Sequence, residues 1–356
     1  MIIYFLGLLL TLFFMYLALK NKNQKIYKFF VILSIIPLLF ISAFRYDVGT
    51  DYIYRYAPSY MIILNGGDVG NLECIFKILI KICTFFTSSY ALLFFVTSVI
   101  IIIPIFYLIY KESKYPLLSI ILFVIGGFFF DSLNLVRQYI SIVILLCSYK
   151  YLLDKKYLKW FLYFILAILF HKSAVVGLLL VPLKNKKYFV PQCILPVASI
   201  IIIFGKYIKE LIIFFISLTP YSIYINSIYS AADIRETVIV ANVIIYLAML
   251  ILYYTKNKNE KVNKLDIFYM NVQSITVLLC LFSIQFNLLY RVVEYFSIFQ
   301  IISIPHMLDL RKKASVYILI ILIALYSLTF GHLFIKNNVN EIRPYRFIFN
   351  KEVFYE

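Results

Sequence analysis

The residues whose types could do chemistry are few, and they stand where charge is costly. Arg45, Asp47, Asp51, Arg137, Gln138, His171, Arg291 and Glu294 lie inside or beside long apolar runs. An arginine next to hydrocarbon is strongly disfavoured unless it faces a wet cavity or an anionic partner. Three such arginines suit a phosphate or diphosphate, because each offers a planar fork of donors and a charge it cannot lose. The expected substrate is therefore anionic. Asp47 and Asp51 share Phe44-Arg45-Tyr46-Asp47-Val48-Gly49-Thr50-Asp51-Tyr52, the most distinctive segment of the chain, in which Gly49 permits an unusual turn. One of these carboxylates could act as a base or bind a substrate hydroxyl, with Tyr52 beside them as a further substrate contact. His171, followed by Lys172 and Ser173, interrupts the apolar stretch 160–183 near its midpoint and is the third candidate for proton transfer.

Each of these residues also has a plainer role open to it. Arg45 and Arg137 could be interfacial anchors whose heads reach the lipid headgroups. Asp47 and Asp51 could cap a helix or pair with Arg45. Arg291 and Glu294, three apart on one helical face, could neutralise one another, and His171 could be a buried, hydrogen-bonded imidazole.

The elements that must position these residues follow from composition. Hydrophobic residues make up 63% of the 356 and charged ones only 14%, so no water-exposed surface could be built from this pool. Apolar runs at 2–19, 90–110, 238–254 and 316–333 each approach the roughly 20 residues that a membrane-spanning helix needs. The basic excess, 34 Lys+Arg against 17 Asp+Glu, sits mostly between apolar runs. Its clusters are Lys20, Lys22, Lys25 and Lys28; Lys111 and Lys114; Lys150, Lys155, Lys156 and Lys159; Lys184, Lys186 and Lys187; Lys256, Lys258, Lys261 and Lys264; and Arg311, Lys312 and Lys313. That is the positive-inside pattern of a membrane protein rather than a nucleic-acid surface, and it places the clusters in the cytoplasm.

With the N-terminal run read as a retained anchor, both termini are expected to be extracytoplasmic. The expected architecture is an all-α, polytopic transmembrane helical bundle of about twelve membrane segments. It forms a single membrane domain over 1–356, with an outer loop and interfacial helix at 45–88, an outer loop at 206–236 and an outer C-terminal tail at 334–356. Charge parity requires 72–86 to lie at the interface and 160–183 to be two half-length helices meeting at His171. Residues 189–204 and 291–310 are each expected to cross. On this topology the exceptional polar residues fall at one face, the outer one.

The five cysteines are scattered and read as small buried hydrophobes. No Gly-rich phosphate loop, metal-ligand spacing or Asp-x-Asp motif is present in the sequence, so no metal and no cofactor is expected.

At the same residues the sequence resembles the EpsG family. The resemblance rests on Phe44-Arg45-Tyr46 with Val48-Gly49-Thr50-Asp51-Tyr52 and Tyr54; on Asn134 with Val136-Arg137-Gln138; on Phe170-His171-Lys172-Ser173-Ala174; on Arg291 with Tyr295-Phe296; and on Pro344-Tyr345. It implies a multi-pass enzyme of the bacterial cytoplasmic membrane. That enzyme would be a Wzy-type polymerase, GT-C-like in fold, joining polyprenyl-diphosphate-linked oligosaccharide repeat units for O-antigen, capsule or exopolysaccharide. By similarity Arg45, Arg137 and Arg291 would hold the diphosphate, and Asp47, Asp51 or His171 would act near the acceptor hydroxyl. Lys172 stands where the family often has proline or a small residue. Partners would be the lipid-linked oligosaccharide, the bilayer, and a chain-length regulator and flippase of the same pathway. The alternatives are a flippase or exporter of lipid-linked oligosaccharide, or a membrane ligase or O-acyltransferase.

Overall fold

The structure, a computed structural model, describes residues 1–70, 72–184, 186–217, 236–259, 262–286 and 289–350. Its helices are α1 (Ile2–Lys20), α2 (Gln24–Ala43), α3 (Ala57–Leu64), α4 (Cys74–Phe86), α5 (Ala91–Glu112), α6 (Pro116–Ile125), α7 (Phe128–Asn134), α8 (Val136–Leu153), α9 (Tyr157–Phe170), α10 (Pro191–Ser217), α11 (Glu236–Asn259), α12 (Lys264–Ser283), α13 (Tyr290–Ser297), α14 (Gln300–Met307) and α15 (Lys313–Phe330). Two short strands, β1 (Arg45–Tyr46) and β2 (Arg346–Phe347), pair antiparallel.

Among the described residues, seven helices are long and apolar enough to cross a membrane: α1, α2, α5, α8, α11, α12, and α15 with the turn that follows it. The bent pair α6 and α7, which meet at 51°, makes an eighth if it crosses as one. The chain is thus a helical membrane protein, and the expected count of about twelve segments is corrected downward. Length is the reason. At about 1.5 Å per residue, α4 and α9 reach only about 20 Å of the roughly 30 Å hydrocarbon core. The expected span 291–310 is two eight-residue helices, α13 and α14, between which the backbone tightens to three-residue hydrogen bonds from Phe299 to Phe296 and from Ile302 to Phe299. The expected outer loop 206–236 is also revised. Helix α10 continues through Lys206 to Ser217, while 218–235 lies outside the described residues. The break at His171 is present: α9 stops at Phe170 and a 3₁₀ segment follows from Lys172 to Leu180.

The chain packs as two compact units, Met1–Val175 with the chain from Phe330 on, and Val176–Thr329. In the first, α1 and α2 form a hairpin whose turn is fixed by two asparagines. Asn21 donates to the Leu17 carbonyl at 2.6 Å, and Asn23 caps α2 by accepting from Lys25 N–H at 2.9 Å. Helices α2 and α5 are antiparallel, because Tyr27 meets Tyr110 at one end and Phe44 meets Phe95 at the other. Lys150 at the end of α8 pairs with Glu112 at the end of α5, so those two run parallel. Helix α9 returns along α8, with Ser141 donating to Ala167 O at 2.7 Å.

These directions sort the charges of the first unit. Lys20, Lys22, Lys25, Lys111, Lys114, Lys150, Lys155 and Lys156 lie at one end of the helices. The other end gathers the end of α2, the starts of α1, α5 and α8, the ends of α7 and α9, and the C-terminal segment. There Tyr4 donates to Ile342 O at 2.8 Å, and its ring meets Phe130 and Tyr345 edge-on.

The second unit holds α10 to α14 and most of α15 around buried amides. Gln300 donates to Asn242 Oδ1 at 2.8 Å and to Gln273 Oε1 at 3.0 Å, and accepts from the Tyr326 hydroxyl at 2.6 Å.

Candidate active site

The segment after α2 is shaped by its backbone needs. Gly49 has φ 96°, and a Cβ there would come within 2.8 Å of the Leu133 carbonyl oxygen, so only glycine lets this loop press against the end of α7. Its neighbours then dock on the chain terminus and on α7. Thr50 N–H donates to Asn340 O at 3.2 Å and Asp51 N–H to Asn134 Oδ1 at 2.8 Å. Asn134 donates in turn to Asn340 Oδ1 at 3.0 Å, and Asn340 to Asp131 Oδ1 at 2.6 Å. A row of amides and carboxylates thus ties together three segments distant in sequence.

Arg45 is buried, 1% exposed. Its guanidinium donates to Ser42 O, to Leu133 O at 3.1 Å and to Ser98 Oγ at 3.4 Å, and lies over the Phe94 ring at 4.8 Å. Burial pulls its pKa down to about 10, against the opposing pull of nearby tyrosines, which leaves it charged at neutral pH. Tyr52 stacks on Phe94 at 3.9 Å and donates to Arg45 O at 3.2 Å; burial raises its pKa. Asp47, in the left-handed region at φ 52°, accepts from Arg346 at 3.0 Å beside the β1–β2 pair. The carboxylate of Asp47 therefore holds the C-terminal segment.

The groups with most chemistry meet at the starts of α4 and α8 and the end of α9. Arg137, one residue into α8, is buried, and its Nη1 donates to Glu73 Oε2. The other oxygen, Glu73 Oε1, lies 2.9 Å from His171 Nδ1. His171 caps α9 in an extended conformation and keeps 22% of its side chain exposed against 7% for Arg137. Arg137 N–H also donates to the Tyr56 hydroxyl at 3.4 Å, and Arg137 Nε is buried with no hydrogen-bond partner among the described residues. Burial alone would raise the pKa of Glu73, but the hydrogen bond from His171 and the charge of Arg137 outweigh it and hold the carboxyl down at about 2. The result is a buried anion shared by a fixed cation and an imidazole.

Two of the expected site residues, Arg137 and His171, are therefore brought together, with Gln138 buried next in the chain. Arg45 and Tyr52 form a neighbouring support joined to the same α7 end. Arg291 and the buried Glu294 lie on α13 of the second unit. Glu73, Tyr56 and Asn340 were not among the expected site residues. The signal for Glu73 was present in charge alone: an arginine placed in apolar surroundings, as Arg137 is, requires an anion, and acidic residues number only 17.

This chain, with Arg137, His171 and the Gly49 turn at one end of its helices, is matched over residues 28–347 by the model described as the EpsG family. It belongs to the EpsG family. No curated protein matches it, and no solved structure does either. The GT-C likeness expected of an EpsG protein therefore finds no support from known folds.

Proposed function

We propose that the protein is a polymerase that joins polyprenyl-diphosphate-linked oligosaccharide repeat units at the extracytoplasmic face of a bacterial cytoplasmic membrane. The Arg137–Glu73–His171 cluster carries this reading, through its position at the end of the first unit opposite the lysine clusters. The positive-inside rule, which favours the cytoplasm for the lysine end, supports an outward-facing position for the cluster in this reading. Membership of the EpsG family supports the polysaccharide setting.

In this reading a hydroxyl of the acceptor sugar attacks the anomeric carbon of a second lipid-linked chain, and polyprenyl diphosphate leaves. Arg137 meets the charge growing on the diphosphate, in a low-dielectric site where a preset cation is worth most. His171 takes the hydroxyl proton. Arg45 holds the end of α7 and adds positive potential. Asp51, whose backbone is fixed by Asn134, and Gln138 stand as sugar contacts.

Arg137→Ala is expected to abolish long polymer in cells that lack the native copy while the protein still inserts in the membrane, read by gel analysis of the surface polysaccharide. Polymer of normal length from Arg137→Ala would overturn the reading.

A further inference from the structure

Glu73 serves two partners at once. Its Oε2 accepts from Arg137 and its Oε1 lies 2.9 Å from His171 Nδ1. Against an anionic carboxylate Nδ1 carries the hydrogen, so Nε2 is the basic nitrogen of the neutral ring. A carboxylate on Nδ1 steadies the imidazolium that forms when Nε2 takes a proton. Here a guanidinium draws on the same negative charge, and so weakens that support. A phosphate oxyanion brought to Arg137, whose Nε lacks a partner, would compete with Oε2 for the guanidinium.

We infer that Glu73 is a positioning residue that couples phosphate binding to base strength. A lipid diphosphate engaging Arg137 draws the guanidinium off Glu73 and leaves the carboxylate to His171, so the base is strong only when the donor is loaded. The inference rests on the glycosyl-transfer reading above. In the step itself, the acceptor oxygen bonds to the anomeric carbon and the bond from that carbon to the diphosphate oxygen breaks. Both electrons leave with the diphosphate, and the hydroxyl proton passes to His171 Nε2. Glu73 balances the imidazolium. Among the described residues, the charged and titratable groups around the histidine include Glu73 at the start of α4, Arg137 and Tyr56 beside Glu73, Asp51 acting on Tyr56, and Lys172 next in the chain. Such an arrangement would hold the base weak, and spare bound acceptor from side reactions, until a donor arrives.

Glu73→Gln tests this, since it keeps an acceptor for Nδ1–H and removes the charge. The full-length protein in detergent micelles is titrated with undecaprenyl diphosphate, and polymerisation of its own lipid-linked repeat unit is followed against pH. E73Q is expected to bind undecaprenyl diphosphate as tightly as the wild type or several-fold tighter. Its kcat should fall at least about tenfold, and the acid limb of its pH–rate profile should move to lower pH, because the imidazolium has lost its counter-ion. Weaker binding with an unmoved acid limb would mean that Glu73 only props Arg137, and would overturn the inference. Loss of binding in Arg137→Ala would meanwhile leave the functional reading standing. Binding unchanged in Arg137→Ala would overturn that reading and the inference with it. Should E73Q fail to fold, the wild-type protein suffices. With three histidines in the chain, the His171 imidazole can be assigned in ¹⁵N-histidine spectra by its loss in His171→Gln. Undecaprenyl diphosphate should move its titration midpoint to higher pH, and an unmoved midpoint overturns the coupling.

Discussion

Two buried polar clusters, one in each unit, are built in opposite ways. In the second, Asn242, Gln273, Gln300 and Tyr326 close on themselves: each amide nitrogen and oxygen of the three has a partner, the last being Asn242 Nδ2 on Val238 O at 2.9 Å. All of these groups are neutral, and they join α11, α12, α14 and α15. In the first unit the Arg137–Glu73 pair is ionised, Arg137 Nε is unpartnered among the described residues, and His171 keeps part of its side chain exposed. A neutral, saturated network resembles a device for fixing helix register. Buried ions contribute little net stability over apolar residues of the same shape, so a chain that keeps them at a helix end does so for another reason. Electrostatic work on a substrate is such a reason.

Mutation separates the two most sharply at Arg137. Removing its head leaves Glu73 buried with only an imidazole, a change that costs about 3–5 kcal/mol when one partner of a buried pair is lost. Beyond that, removing one preset charge-stabilising donor lowers turnover by about 10²–10³-fold. Arg137→Ala should therefore lose activity far beyond its loss of folded protein, measured as polymer formed per molecule recovered by size exclusion in detergent.

Acid should reach the same cluster next. A carboxyl usually near 4.5 is held at about 2 in Glu73, so its folded form is the more acidic one. The stability that this carboxylate contributes is fully present above about pH 4.5 and is lost as pH falls toward 2. Thermal melts across that window should show a drop in wild type that is shallower in Glu73→Gln. The amide network of the second unit has no group that titrates there. Equal slopes in the two proteins would remove Glu73 from the account of acid sensitivity.

How much of this was legible follows from the same contrast. Long apolar runs bounded by lysines marked α1, α5, α11 and α15, because a span is written locally in hydropathy. Arg137 and His171 stood out by breaking the local rule for charge near hydrocarbon. Glu73 did not, since its place just before α4, with Lys77 and Lys81 following, made it one more polar mark of an interfacial helix. Its role depends on partners 64 and 98 residues away, which no local pattern carries. The α13–α14 break was hidden because Ser297 and Gln300 sit within a run apolar enough to read as one span.

At Gln300 the neutral network should answer differently from Arg137. Gln300→Leu keeps volume but strands the Tyr326 hydroxyl and Gln273 Oε1 and leaves Asn242 Oδ1 only a long bond from Gln273 at 3.5 Å, and leaving buried polar groups unmade costs about 1–3 kcal/mol each before relaxation. The variant should melt lower yet keep wild-type activity per folded molecule. If its turnover falls as far as that of Arg137→Ala, the division between a structural and a chemical network is wrong.

A smaller effect is expected at Gly49, where Gly49→Ala meets both a left-handed φ and the Leu133 oxygen. Strain of this kind costs about 1–3 kcal/mol. It should appear as a lower melting temperature together with a modest activity loss, because the displaced loop carries Asp51.

The smallest change should come at Asp47, where the sequence had offered a catalytic carboxylate. Its partner Arg346 is 51% exposed and Asp47 itself 36%, so water screens the pair, and exposed pairs of this sort are worth about 0.2–1 kcal/mol. Asp47→Asn retains an oxygen that can accept from Arg346 and should shift melting by a degree or two, with polymer length near normal. The β1–β2 pair and the Asn134–Asn340 contact would still hold the C-terminal segment on the loop. Loss of polymer in Asp47→Asn, with melting unchanged, would move the proton-transfer role from His171 to Asp47 and make the Gly49 turn the centre of the chemistry.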